Sequence, residues 1–211
     1  MFRGVFILLS VSVENPPYTY KKNDAIMNKI TDIELFALPD ETLTDISLVE
    51  YPAIESNWLC FSKDVKQYVF SDDEKHIVTG AVLIPNKRIY RNDSNGEYNV
   101  YFSEATIRRI SEQFFNDFKN KSFTLEHGDN TNAVTVIESW IKEGELDKSV
   151  QLGLDVPVGS WLMSAKINDP QLWADIKAGK YQGFSVAGHF AVEDAEAMIL
   201  EEAEKWVRDN D

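Results

Sequence analysis

Gly179-Lys180-Tyr181-Gln182-Gly183-Phe184-Ser185-Val186-Ala187-Gly188-His189-Phe190 reads as a helix stop followed at once by a strand. Upstream, Asp169 is placed to cap free N–H groups, and Pro170 is preset for a first helical position. Leu172, Trp173 and Ile176 then fall at helical spacing, and Gly179 suits the left-handed residue past a helix end. From Tyr181 the period changes to two. Phe184, Val186, Phe190 and Val192 share one face, while Tyr181, Gly183, Ser185, Ala187 and His189 share the other. Ser185 is therefore a small hydroxyl on a strand, flanked by Gly183 and the thin pair Ala187-Gly188. The plain reading is a strand serine in a half-buried sheet. The sharper reading is a nucleophile, which requires a base from elsewhere in the chain.

The chain has 211 residues, which bounds it to one domain with appendages or two small domains. Hydrophobic residues at 44% are enough for a packed core. A formal net charge of -14 argues against nonspecific binding to nucleic acid or to an anionic membrane. The single cysteine, Cys60, excludes an internal disulfide and a cysteine-rich zinc site, and a reducing cytoplasm suits such a chain. Any mechanism that needs an imidazole has only His76, His127 and His189 to draw on.

Arg3 and the apolar run Val5-Phe6-Ile7-Leu8-Leu9 resemble a short signal-peptide core, but no clean cleavage site follows. Met27 opens an ordinary-looking protein start. Residues 1–26 are therefore expected to be a peripheral arm or to precede the true start. Residues 27–75, broken by Pro39 and Pro52, read as an N-terminal extension with one short strand at Ile46–Val49. The charged run Ser71–Lys75 is taken as a linker into the main domain.

His76–Pro85 is a nearly continuous apolar strand, expected to be buried on both faces. Asn95-Gly96 signals a hairpin, with Tyr98–Phe102 returning. Ser103 is a helix N-cap, followed by Glu104 and an apolar stripe of Ile107, Ile110, Phe114 and Phe118. Phe123–His127 reads as a short strand, Gly128-Asp129-Asn130 as a turn, Val134–Ile141 as an alternating strand, and the region around Gly159–Met163 as another. Residues 193–208 return to helical spacing through Ala195, Ile199, Ala203 and Trp206. The expected fold is α+β: a strand-rich mixed or antiparallel sheet, curled toward a barrel and flanked by about three helices. Its segments are an arm over 1–26, an extension over 27–75, a core over 76–192 and a C-terminal helix over 193–211.

His189 shares a face with Ser185, but four residues along a strand span about 13 Å, too far for contact. His76 sits beside a charged linker. His127 ends a short apolar run just before a turn, where sheet proteins often place site residues; a histidine–glycine pair at a strand end is also ordinary turn chemistry. An orienting carboxylate for the imidazole has five candidates, Glu126, Asp129, Glu138, Glu193 and Asp194. Glu138 shares a strand face with Val134, Val136 and Trp140, so a partly buried carboxylate there needs a partner, either a histidine or a Lys or Arg. No His-x-x-x-His pair, H-E-x-x-H motif or phosphate-cradling glycine loop occurs, so no metal or cofactor is called for.

Taken together, the motifs Val78–Pro85 with Ile89-Tyr90-Arg91, Tyr101-Phe102-Ser103, Leu125-Glu126-His127, Glu138-Ser139-Trp140, Gly159-Ser160-Trp161, Asp169–Trp173 and Gly183–Val186 resemble the XkdF-like serine proteases of tailed bacteriophages. Glu50–Ala53 also fits. That family is related to phage prohead proteases and, more distantly, to the herpesvirus assemblin fold. The resemblance covers about residues 46–192. It implies an endopeptidase with His127 as base and Ser185 as nucleophile. The related families place a third member beyond the serine, where this chain reads as helix, so the orienting group stays open with Glu138 as the candidate.

The implied function is trimming of capsid and scaffold proteins, and of the enzyme itself, during prohead maturation. That work would take place in the host cytoplasm, inside the procapsid. The portal and further copies of the chain are additional candidate partners, with no direct contact to nucleic acid or membrane. The alternative is a noncatalytic head or scaffold component that keeps the fold.

Overall fold

The computed structural model describes residues 5–8, 30–38, 43–50, 59–60, 75–93, 96–116 and 123–192. The helix expected over 193–208 and the linker at 71–74 lie outside them, as do residues 51–53 of the Glu50–Ala53 motif.

The chain is strand-rich, with a curled half-barrel sheet and three helices among the described residues. One sheet has eight strands. Its path runs β6 (Ile89–Asp93), β7 (Gly96–Phe102), β2 (Thr31–Ala37), β12 (Gly183–Ala191), β3 (Leu43–Val49), β8 (Phe123–Leu125) and β9 (Asn130–Thr131), with β1 (Val5–Leu8) pairing β12 off that path. The second sheet runs β10 (Val134–Ile141), β11 (Trp161–Ile167), β5 (Ile77–Leu83) and β4 (Leu59–Cys60). Most pairs are antiparallel, but β2–β7 and β3–β8 are parallel, which makes the larger sheet mixed.

The strand pairings change the picture of the N-terminal third. The stretch over 27–75, expected as an extension outside the core, contributes β2, β3 and β4 to the two sheets. Leu35, Ile46 and Leu48 are wholly buried. Val5–Leu8, inside the segment read as a peripheral arm, pairs antiparallel with Ala187–Phe190 on the same strand as Ser185. Backbone groups on these segments find partners only across the sheet, so pairing gives them a place that local patterning does not reveal.

Elements with strong local signals form where the signals stand. Asp169 caps α3 (Pro170–Lys177) by accepting from the Leu172 N–H at 2.6 Å, and Gly179 follows with φ +80°. Leu172, Trp173 and Ile176 face the core. Ser103 opens α1 (Glu104–Asn116), whose Ile107, Ile110 and Phe114 are buried, with Phe114 edge-on to Trp161. β6 and β7 pair antiparallel up to Asp93 opposite Gly96, the hairpin that the sequence expects, with Asn95 outside the described residues. β5 is buried on both faces, with β11 and β4 paired to its two edges. The single-turn helix α2 (Lys148–Gln151), capped by the Asp147 side chain, was not foreseen.

β12 runs through the middle of the larger sheet, and both of its faces are covered. Phe184, Val186 and Phe190 are buried on one side, and Tyr181, Ser185 and Ala187 on the other. Only His189 on that second face is exposed. The strand is more deeply placed than a half-buried sheet predicts, with Ser185 only 4% exposed.

Candidate active site

The site is assembled from three neighbouring strands, β12, β3 and β8. Ser185 on β12 stands opposite Ser47 on β3, and Ser47 stands beside Thr124 on β8 in parallel register. Residues paired directly across a ladder project to the same face. Three hydroxyls therefore form a row on one face of the sheet, and Asp45, two residues before Ser47, projects to that face as well.

His127 reaches this row through a tight turn. Instead of ending the strand, as the sequence suggests, it follows β8 as the second of two consecutive left-handed residues, Glu126 and His127, each at φ 51°. Gly128 N–H closes the turn on the Leu125 carbonyl at 2.9 Å, and a Cβ at position 128 would come within 3.1 Å of that oxygen. Left-handed backbone at a non-glycine residue costs about 1–3 kcal/mol and persists only where surroundings hold it. Here the Glu126 N–H donates to the Leu48 carbonyl at 3.0 Å, and the His127 N–H donates to Ser47 Oγ at 2.9 Å. Glu126 Oε1 in turn accepts from the Glu50 N–H at 2.7 Å.

The turn sets the imidazole between two partners. His127 Nδ1 lies 2.8 Å from Asp45 Oδ1, and Nε2 lies 2.9 Å from Ser185 Oγ. A carboxylate can only accept, so Nδ1 carries the proton, which leaves Nε2 as the acceptor for the Ser185 hydroxyl. The imidazole side chain is 2% exposed and that of Asp45 is 16% exposed. The low surrounding dielectric strengthens both contacts. Burial alone would raise the Asp45 carboxyl. The hydrogen bonds from His127 and Thr124, the His127 charge and the Ser47 hydroxyl outweigh it, so the group sits below the usual aspartate value.

Of the sequence candidates, His127 and Ser185 are brought together and Glu138 is not. Glu138 stands on β10 in the other sheet, and a bulge there sets the way it faces. Val136 pairs with Ala165 while Glu138 pairs with Ser164, so Ile137 is an extra residue and the alternation reverses phase across it. Glu138 consequently faces away from Val136, half-exposed, and accepts from Ser164 Oγ at 2.9 Å and from Lys148 Nζ at 2.6 Å. Its carboxyl is lowered chiefly by the Lys148 hydrogen bond. It lines a cleft of about 580 Å³ on the second sheet, together with Phe115, Ile137, Trp140 and Asp147. His189 is exposed, and His76 stacks on Trp173 with ring centroids 4.9 Å apart.

The residue that sequence reasoning missed is Asp45. One signal pointed to it: an aspartate in the interior of a strand, in phase with Ser47 and Val49, contradicts strand propensity. Among the described residues no group of three or more His, Cys, Asp or Glu side chains is arranged to hold a metal.

A family model described as putative phage serine protease XkdF matches residues 64–194. The matched stretch contains His127 and Ser185, while Asp45 lies upstream of it. No curated protein and no solved structure matches the chain.

Proposed function

We propose, from the premise that this chain belongs to the family described as putative phage serine protease XkdF, that it is an endopeptidase using Ser185 as nucleophile, His127 as base and Asp45 as the orienting carboxylate. The observation that carries this reading is the continuous chain Asp45 Oδ1, His127 Nδ1, His127 Nε2, Ser185 Oγ, linked at 2.8 and 2.9 Å. A hydroxyl is a poor nucleophile until a base within about 3 Å takes its proton. Here Nε2 receives the Ser185 proton as Oγ attacks the scissile carbonyl. The imidazolium, held by Asp45, then returns the proton to the leaving amine, and the acyl-enzyme is released by water activated in the same way.

The substrates we propose are the capsid and scaffold proteins of a tailed phage, trimmed during prohead maturation inside the assembling shell. Confinement with those substrates would supply selectivity. A noncatalytic head component would need no acid on the imidazole, so the Asp45 carboxylate 2.8 Å from His127 Nδ1 weighs against that alternative.

The test is co-expression with capsid and scaffold chains, read by intact mass. Wild type should process them, and Ser185→Ala should lose about five to six orders of magnitude in rate while keeping the fold. Substituting serine by alanine should cost only on the order of 1 kcal/mol in stability. His189→Ala should process normally. Undiminished processing by Ser185→Ala would refute the mechanism; heads that assemble with no wild-type cleavage would favour the noncatalytic reading.

A further inference from the structure

We propose that Ser47 and Thr124 are positioning residues of this site, two buried hydroxyls that hold the Asp45 carboxylate and the His127 backbone in the arrangement that aims the imidazole at Ser185. The proposal rests on the protease reading and adds a second layer to it.

Thr124 and Ser47 are 4% and 0% exposed, on adjacent strands in direct register. Two hydroxyls in a sheet interior carry a desolvation cost that apolar β-branched residues would avoid, so each needs partners. All of their partners belong to the site. Thr124 Oγ1 donates to Asp45 Oδ1 at 2.9 Å. Ser47 Oγ lies against Thr124 Oγ1, is 3.2 Å from Asp45 Oδ1, and accepts the His127 N–H.

The protons can be assigned without conflict. Thr124 gives its proton to Asp45, Ser47 gives its own to Asp45 or to Thr124, and Ser47 receives the amide proton of His127. Asp45 Oδ1 thus gathers the Thr124 hydroxyl and the His127 Nδ1–H, with Ser47 in reach as a third donor. Donors converging on one oxygen fix the carboxylate rotamer and keep the group ionised, which holds the Nδ1–H tautomer that leaves Nε2 ready for Ser185. The Ser47 bond to the His127 amide also props up a residue whose left-handed φ is unfavourable by itself. Ser47 therefore touches the imidazole-bearing residue from one side and the orienting carboxylate from the other.

Few other groups are available to do this. Among the described residues, Thr44, Ser47, Thr124 and His127 are the hydrogen-bond partners of the Asp45 side chain, and the Thr44 contact is long at 3.4 Å. Of the other acids near the turn, Glu126 is engaged by the Glu50 N–H, and Asp129 is exposed. Among those partners no charged group on β8 or β12 stands in for the two hydroxyls.

The experiment uses the full chain and the variants Thr124→Val, Thr124→Ser and Ser47→Ala. Three quantities are measured: the rate at which a fluorophosphonate probe labels Ser185, the Asp45 carboxyl titration by carbon NMR, and hydrogen exchange of the His127 amide. Thr124→Val keeps the side-chain shape and should slow labelling about tenfold or more, as small losses of alignment do. It should also move the Asp45 titration upward, and Thr124→Ser should restore both. Ser47→Ala should slow labelling and accelerate exchange at the His127 amide.

Labelling within about twofold of wild type in Thr124→Val and Ser47→Ala, with the Asp45 titration unmoved, overturns the proposal. If Ser47→Ala does not fold, the two Thr124 variants decide. If wild-type Ser185 resists the probe altogether, the protease reading fails, and the two NMR measurements still decide whether these hydroxyls position Asp45 and His127.

Discussion

The Asp45 carboxylate lies 2.8 Å from Nδ1 of His127 although 82 positions separate the two residues in the chain. Sheet register creates the contact: Asp45 stands on the strand between those that deliver the base and the nucleophile. The same contact decides which acid serves the imidazole.

Replacing Asp45 by asparagine should therefore be far more damaging than replacing Glu138 by glutamine. An amide at position 45 can donate to Nδ1, which places the imidazole proton on Nε2, facing Ser185. A loss of about 10⁴ in rate accompanies such a tautomer switch in serine proteases. Glu138→Gln breaks a half-exposed pair with Lys148 that is worth about 1 kcal/mol or less, and should leave cleavage unchanged. Probe labelling of Ser185 with a circular dichroism control measures both. Equal loss in the two variants would reject Asp45 as the orienting group.

Asp45 also sets a pH dependence. Its folded carboxyl lies below the ordinary value of 3.8, because the hydrogen bonds and the imidazole charge outweigh burial. A depressed folded pKa contributes stability that is fully present above the unfolded value and is lost as pH falls through the folded one. The stability gap between wild type and Asp45→Asn should thus be constant near neutrality and shrink only below an ordinary aspartate pKa. Urea melts across that range measure the gap, and a gap that narrows between neutral and mildly acidic pH would contradict this assignment.

Deleting residues 1–26 removes β1 from β12. Edge pairing contributes through backbone hydrogen bonds that water only partly replaces. The shortened chain should therefore melt about 2–4 °C lower, as a loss of about 1 kcal/mol does in a domain of this size. Differential scanning calorimetry on the two chains reads this directly. Identical melting temperatures would show that the β1 pairing adds nothing to the core.

Much of this protein is written in local chemistry. Asp169-Pro170 and Gly179 bound a helix, Gly96 opens the return strand of a hairpin, and the small Ser185 stands on an alternating strand; each depends on neighbours a few residues away. His127 was legible as a candidate because histidines are few, but its left-handed turn was not, since the hydrogen bonds holding it come from Ser47 and Leu48.

Asp45 and Glu138 depended on tertiary structure alone. Alternation gives a residue's face only until a bulge reverses the phase, as at Ile137, and it never gives the neighbouring strand. Which acid meets the imidazole follows from β3 lying between β12 and β8. That order is set by the packing of the whole sheet, which no stretch of sequence carries by itself.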